Sequence, residues 1–238
     1  MKYTVHRALA MLKTTKARIA KELASDEPFV RVTRGQDGNV HGVPVGEIER
    51  SIQGRYDRIT ALISNYSKVK AAVIRSNAGV TADTELRKAK VAGQLLTVAE
   101  LIEISDSIYG MGKKGSSGNK PAGFKASLLE KLKSDYADAQ QEFSDLQDRA
   151  DAEVLQYIKA LSVKKDAESI DEAAKATIEA TSKMLHKQKD PMFIDPLKIA
   201  EKISALENEI EEFITEADAV LSEQNALTTI EVDLADIQ

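Results

Sequence analysis

The chain has 238 residues, of which 42% are hydrophobic and 30% charged, a balance that excludes a disordered tail. Cys is absent, which excludes disulfides, thiolate metal sites, iron–sulfur clusters and a Cys nucleophile. The net charge of −5 conceals a polarity: residues 1–120 hold 20 Lys/Arg against 12 Asp/Glu, whereas residues 121–238 hold 13 against 26. A basic half and an acidic half can pair within one chain or between copies.

In chain order, the first helix is predicted over residues 2–24. Val5, Leu9, Leu12, Ile19 and Leu23 recur near the helical period, and Pro28 lies beyond the end. The period then changes. Phe29, Val30 and Val32, then Gly35-Gln36-Asp37-Gly38-Asn39, then Val40, Val43 and Val45 read as a β-hairpin over 29–45. A second helix is predicted over 47–76 on the stripe Ile48, Ile52, Ile59, Leu62, Ile63, Val69, Val73 and Ile74. At about 1.5 Å per residue it is on the order of 45 Å long, which points to packing in a bundle or coiled coil.

Short strands are expected at 80–82 and 90–92. Thr97-Val98-Ala99-Glu100 has the capping-box pattern, in which the Thr hydroxyl and the Glu carboxylate each accept a backbone N–H of the first turn. A short helix follows to Tyr109. Residues 110–123, GMGKKGSSGNKPAG, are the only low-complexity stretch and read as a basic, flexible loop. Further helices are predicted from 121–125 to 163, on a stripe that includes Phe124, Leu128, Leu132, Ala139, Phe143, Ala150 and Val154, and over 166–187. Asp190-Pro191 and Asp195-Pro196 punctuate the chain before a last helix over 196–223, whose stripe includes Ile199, Ile203, Leu206, Ile210, Phe213 and Ala217. Asp195 is the N-cap and Pro196 the first residue of the last one. A terminal strand is expected at 227–232.

Three stretches carry a family resemblance: Tyr66 to Ala78 (YSKVKAAVIRSNA), Leu96 to Glu103 (LTVAELIE) and Asp218 to Thr228 (DAVLSEQNALT). With the N-terminal helix, they resemble a family of helical proteins encoded by tailed phages and prophages of Gram-positive hosts. Bacterial relatives of that family are labelled septicolysin-like. The resemblance implies a virus-associated origin, and it brings no agreed activity and no catalytic residues. The Gly/Lys/Ser loop at 110–120 has no counterpart in it.

Candidate chemistry is sparse. Gly112 to Lys120 could wrap an anion with backbone N–H groups and ammonium side chains, but the spacing is not that of a Walker A loop, and a flexible linker is the competing reading. Lys113, Lys114, Ser116, Ser117 and Lys120, with Arg75, Ser76 and Asn77 at a helix end, are the candidate ligand contacts. His6, His41 and His186 lie on separate elements, and there is no His-Glu-x-x-His, so no metal site is expected. No Gly-x-Ser-x-Gly elbow and no strand with Gly-x-Gly-x-x-Gly occurs, and no catalytic residue or cofactor is expected. Arg50, Arg55, Arg58, Lys68, Lys70 and Arg75 could track phosphates, but aromatic interleaving is slight. A solvated or salt-bridged helix face is the simpler reading, and nucleic acid is not an expected partner.

No apolar run approaches the roughly 18 residues of a membrane helix, and the N-terminus is too charged for a secretory signal. A soluble protein of the host cytoplasm is expected, with no membrane partner. The fold class expected is mainly α: one elongated helical bundle or coiled coil over 1–238 with a small β element. Apolar stripes too extensive for one slender protomer predict a homo-oligomer. The leading expectation is a non-catalytic interaction protein that binds itself and a host or virion protein. The alternative is a small-molecule binder that sequesters an anionic host metabolite or signalling nucleotide, an anti-defence role.

Overall fold

A computed structural model describes residues 3–35, 39–40, 42–77, 88–111, 123–162 and 172–227. The fold is mainly α-helical with a small β element. Among the described residues there are six α-helices: α1 (Val5–Leu23), α2 (Val45–Asn77), α3 (Val98–Ile104), α4 (Phe124–Ser162), α5 (Glu172–Lys189) and α6 (Ile199–Leu227). Six short strands among the described residues form three two-stranded antiparallel ladders. No helix among the described residues is long and apolar enough to cross a membrane.

The chain divides into two compact units, and α2, α4 and α6 each contribute residues to both. The first unit holds residues 1–24, 59–130 and 204–238. The apolar stripes predicted from sequence supply its core: Leu12 and Ile19 of α1, Ile59 and Ile63 of α2, Leu128 of α4, and Phe213 and Ala217 of α6 are buried. Strands β4 (Lys88–Val91) and β5 (Gln94–Thr97) form a hairpin closed by Ala92 and Gly93, both at positive φ. The expected segments at 80–82 and 228–232 lie outside the described residues, as does most of the 110–123 loop.

The capping box is present as predicted. Thr97 Oγ1 accepts the Glu100 N–H at 3.3 Å, and Glu100 Oε2 accepts the Thr97 N–H at 2.8 Å. Beyond α3, Ser105–Tyr109 form one π-helical turn that ends at Gly110, whose φ of +79° suits Gly alone. Gly110 and Gly123 approach so closely that a Cβ on Gly123 would lie 2.3 Å from the Gly110 nitrogen.

The second unit holds residues 25–58 and 131–203. Here the expected 29–45 hairpin is reorganised. Strand β1 (Arg31–Arg34) pairs with β6 (Pro191–Ile194), far away in sequence, in the register Arg31–Ile194 to Arg34–Pro191. Only β2 (Asn39–Val40) and β3 (Val43–Pro44) form a local hairpin. The physical reason lies in Phe29 and Val30, which are fully enclosed and anchor the chain just before β1. The Phe29 N–H donates to the buried carboxylate of Asp135 on α4, 2.9 Å away. Phe193 of β6 stacks on Phe143 of α4. Helix α6 begins at Ile199, three residues later than expected. Asp195 is therefore not at the N-cap position and Pro196 lies in the turn before the helix; Lys198, with φ of +51°, directly precedes Ile199, although the Asp195 carboxylate still accepts the Ile199 N–H at 2.9 Å.

Candidate functional site

In the first unit, the apolar stripe of α1 is only half covered. Leu12 and Ile19 are buried, whereas Val5 and Leu9, one turn apart on the same row, are 39% and 50% exposed. Tyr3 lies exposed beside them, with the Arg7 guanidinium over its ring. Arg7, Lys13, Lys16, Arg18 and Lys21 make the exposed side of the helix basic. Helix α6 has the opposite character. Asn208, Glu211, Glu212, Thr215 and Glu216 line an open hollow of about 380 Å³.

The sequence-derived ligand contacts of the same unit divide in two. Lys113, Lys114, Ser116, Ser117 and Lys120 lie outside the described residues. Arg75, Ser76 and Asn77 close α2 as expected, and Ser76 and Asn77 are exposed. Arg75 already serves an anion within the chain: its Nε lies 2.5 Å from Oε1 of Glu100, whose side chain is wholly enclosed. The approach lies off the hydrogen-bond axis, so the contact is one of charge. Nearby, Lys70 pairs with Glu103 at 3.0 Å.

Tyr109, Lys125, Glu209 and Phe213 form a second cluster. The Tyr109 ring stacks on Phe213 with centroids 3.7 Å apart. The Lys125 ammonium donates to the Tyr109 hydroxyl at 3.0 Å and to Glu209. Burial pushes the Tyr109 phenol above its usual range, and the Lys125 bond opposes that only in part. Burial also works against the charge on Lys125, but its bonds to Glu209 and Tyr109 outweigh it and hold the ammonium pKa up.

In the second unit, the N-terminal turns of α2 face β1 and the small hairpin across a cleft of about 370 Å³. Ile48 and Ile52 give it an apolar floor, Val40 and Val43 a wall, and Glu27 and Glu47 two carboxylates. Arg55 is buried in its lining. The Arg55 guanidinium donates to the Glu27 carbonyl and lies 4.4 Å from the Phe29 ring centroid. Arg31 also lines the cleft, and its Nε is buried without a hydrogen-bond partner among the described residues. A buried donor left unbonded costs free energy that an acceptor would recover. The same Arg31 borders a neighbouring hollow of about 490 Å³ lined by Asp26, Lys131, Asp135, Asp138 and Glu142.

Sequence reasoning did not single out Arg31, and it grouped Arg55 with surface cations. The signal for Arg55 was there: it sits in the row Ile48, Ile52, Arg55, Ile59, at core spacing. The cations proposed to track phosphates are otherwise dispersed. Arg50 donates to the Gly46 carbonyl, while Lys70 and Arg75 are in ion pairs. Comparison with family models, curated proteins and solved structures gave no match.

Proposed function

We propose that this chain is a non-catalytic, phage-encoded interaction protein of the host cytoplasm that acts by helix-mediated self-assembly and binding to another macromolecule. Its long stripes are those of an elongated, coiled-coil-like bundle. The observation that carries this reading is the uncovered row on α1: Val5 and Leu9 continue the stripe that Leu12 and Ile19 bury, so the helix is apolar beyond what its own unit covers.

The occupant of that row is a second copy of the chain. Charge supports this choice, because exposed cations flank the row on α1 and exposed carboxylates line the hollow on α6. Contact between two different surfaces is heterologous and builds a ring or a filament. Sedimentation velocity on the full chain tests it. The native protein is expected to sediment as an oligomer at micromolar concentration, and Leu9→Glu as a monomer with an unchanged helical circular dichroism spectrum. A native protein that stays monomeric refutes the proposal.

A second reading, binding of an anionic small molecule, is favoured by one observation: the buried, unsatisfied Arg31 Nε in a cleft that Arg55 also lines. Thermal melting against a panel of nucleotides and carboxylates tests it. Ligand at 100 times its dissociation constant adds about 2.7 kcal/mol. A shift absent from Arg31→Met supports this reading, and no shift with any anion removes it.

A further inference from the structure

We propose that Asp151, His186 and Asp190 form a binding site for a divalent transition cation of the Zn²⁺ class, in the second unit and independent of the self-assembly surface. His186 Nδ1 lies 2.9 Å from Asp190 Oδ1 and 4.0 Å from Asp151 Oδ1. One ligand atom from each of the three residues lies within 4.8 Å of the others. Around a tetrahedral Zn²⁺ with bonds near 2.1 Å, donors stand about 3.4 Å apart. The observed separations bracket that value, so side-chain rotation closes the site without moving the backbone. One imidazole and two carboxylates are a donor set for Zn²⁺, with water in the fourth position. Mg²⁺ prefers an all-oxygen octahedron and keeps its water.

The frame around the three residues is fixed from several directions. The Asp190 N–H donates to the His186 carbonyl at 2.8 Å, and the Asp190 carbonyl accepts the Gly35 N–H at 3.0 Å. The next residue, Pro191, opens β6, which is locked to β1. On α4, Glu153 pairs with both Lys189 and Arg34, which ties the end of α5 and the end of β1 to the turn that carries Asp151. Glu153 is thereby occupied with cations, and the three ligand residues are left beside it. Asp151 Oδ1 also accepts a bond from Gln147 at 3.2 Å, which a metal would replace. Coordination through Nδ1 leaves Nε2 as the ring nitrogen that carries the proton.

Isothermal titration of the chelator-treated full chain with ZnCl₂ tests the assignment, with MgCl₂ as the control. One Zn²⁺ per chain is expected, with no heat from Mg²⁺. Asp151→Asn is the cleanest variant, since that side chain is 57% exposed and its loss leaves the fold intact. It should weaken Zn²⁺ binding about tenfold or more, as should His186→Gln. Native-like affinity in both variants would assign the metal to adventitious surface groups and overturn the proposal. So would the absence of saturable binding by the native chain below about 100 µM.

Discussion

Glu100 and Arg75 share one ion pair but not its consequences. The Glu100 side chain is wholly enclosed, whereas that of Arg75 is 45% exposed. Removing the cation strands a buried carboxylate; removing the carboxylate releases a guanidinium to water. Arg75→Met is therefore expected to cost about 2 kcal/mol, less than the loss from a fully enclosed pair because solvent screens Arg75. Glu100→Gln keeps an acceptor for the Thr97 N–H and should cost about 1 kcal/mol. Urea midpoints of the two variants decide it, and equal losses would show that the charge of Glu100 is not what the pair protects. Tyr109 gives a second prediction at this scale. Its folded phenol resists ionisation above the ordinary value of 10.0, so above that pH the unfolded chain sheds a proton first and stability falls. Lys125, whose pKa is also raised on folding, contributes in the same direction: its stabilisation is complete below 10.5 and is lost as pH rises through the folded value. Tyr109→Phe keeps the stack on Phe213 and should flatten the decline of urea midpoint as pH rises above about 10. A decline as steep as in the native protein would place the titration elsewhere. At this scale the sequence was read unevenly. Thr97 and Glu100 announced their cap because that chemistry is local. No histidine was assigned a ligand partner from sequence, although His186 and Asp190 stand four residues apart; Asp151 is on another helix and no spacing reveals it.

The elements whose reward is local were readable from sequence, whereas those that depend on distant partners were not. The stripes of α1, α2, α4 and α6 follow a period that a single helix obeys by itself, and their boundaries fall within a few residues of expectation. Strand β1 is different. Its β-prone residues were visible, but its partner β6 is about 160 residues away and was masked by Pro191, which read as punctuation. Pro191 is tolerated because it stands at the first position of the strand. The π-helical turn after α3 was likewise read as ordinary helix, since its end depends on Gly110 meeting Gly123. That meeting carries the element-scale prediction. A Cβ on Gly123 would stand 2.3 Å from the Gly110 nitrogen, 2.6 Å from the Ile108 carbonyl oxygen and 2.7 Å from the Tyr109 carbonyl carbon. All three are backbone atoms, so no rotamer relieves the clash. Gly123→Ala is expected to destabilise the protein by about 3 kcal/mol, at the upper end for overpacking. Thermal unfolding measures it, and a change within about 0.5 kcal/mol, the range of ordinary surface substitutions, would mean that the two glycines do not pack together.

At the scale of the whole molecule, the sequence separates charge more strongly than it separates hydrophobicity. The first 120 residues carry an excess of eight positive charges and the remainder an excess of thirteen negative ones. Opposite surfaces on identical copies attract, but attraction between exposed charges is weak unless apolar contact accompanies it. Self-assembly should therefore rest on the Val5–Leu9 row for strength and on the charges for orientation, and the two contributions separate experimentally. Raising salt from about 0.1 M to about 1 M shortens the Debye length from about 10 Å to about 3 Å and strengthens apolar association at most modestly. The proposed oligomer should dissociate partly over that range, whereas Leu9→Glu should be monomeric throughout. Reversing Glu211 and Glu212 to Lys should weaken assembly at low salt, because the basic face of α1 then meets a basic partner. Reversing Lys13 and Lys16 to Glu in the same chain should restore it, since the complement is rebuilt with its sign inverted. Rescue by the fourfold variant, read by sedimentation at low salt, requires that these two helices face each other across copies. Failure of rescue, with both double variants folded, would leave α6 outside the interface and require a different surface to cover the α1 row.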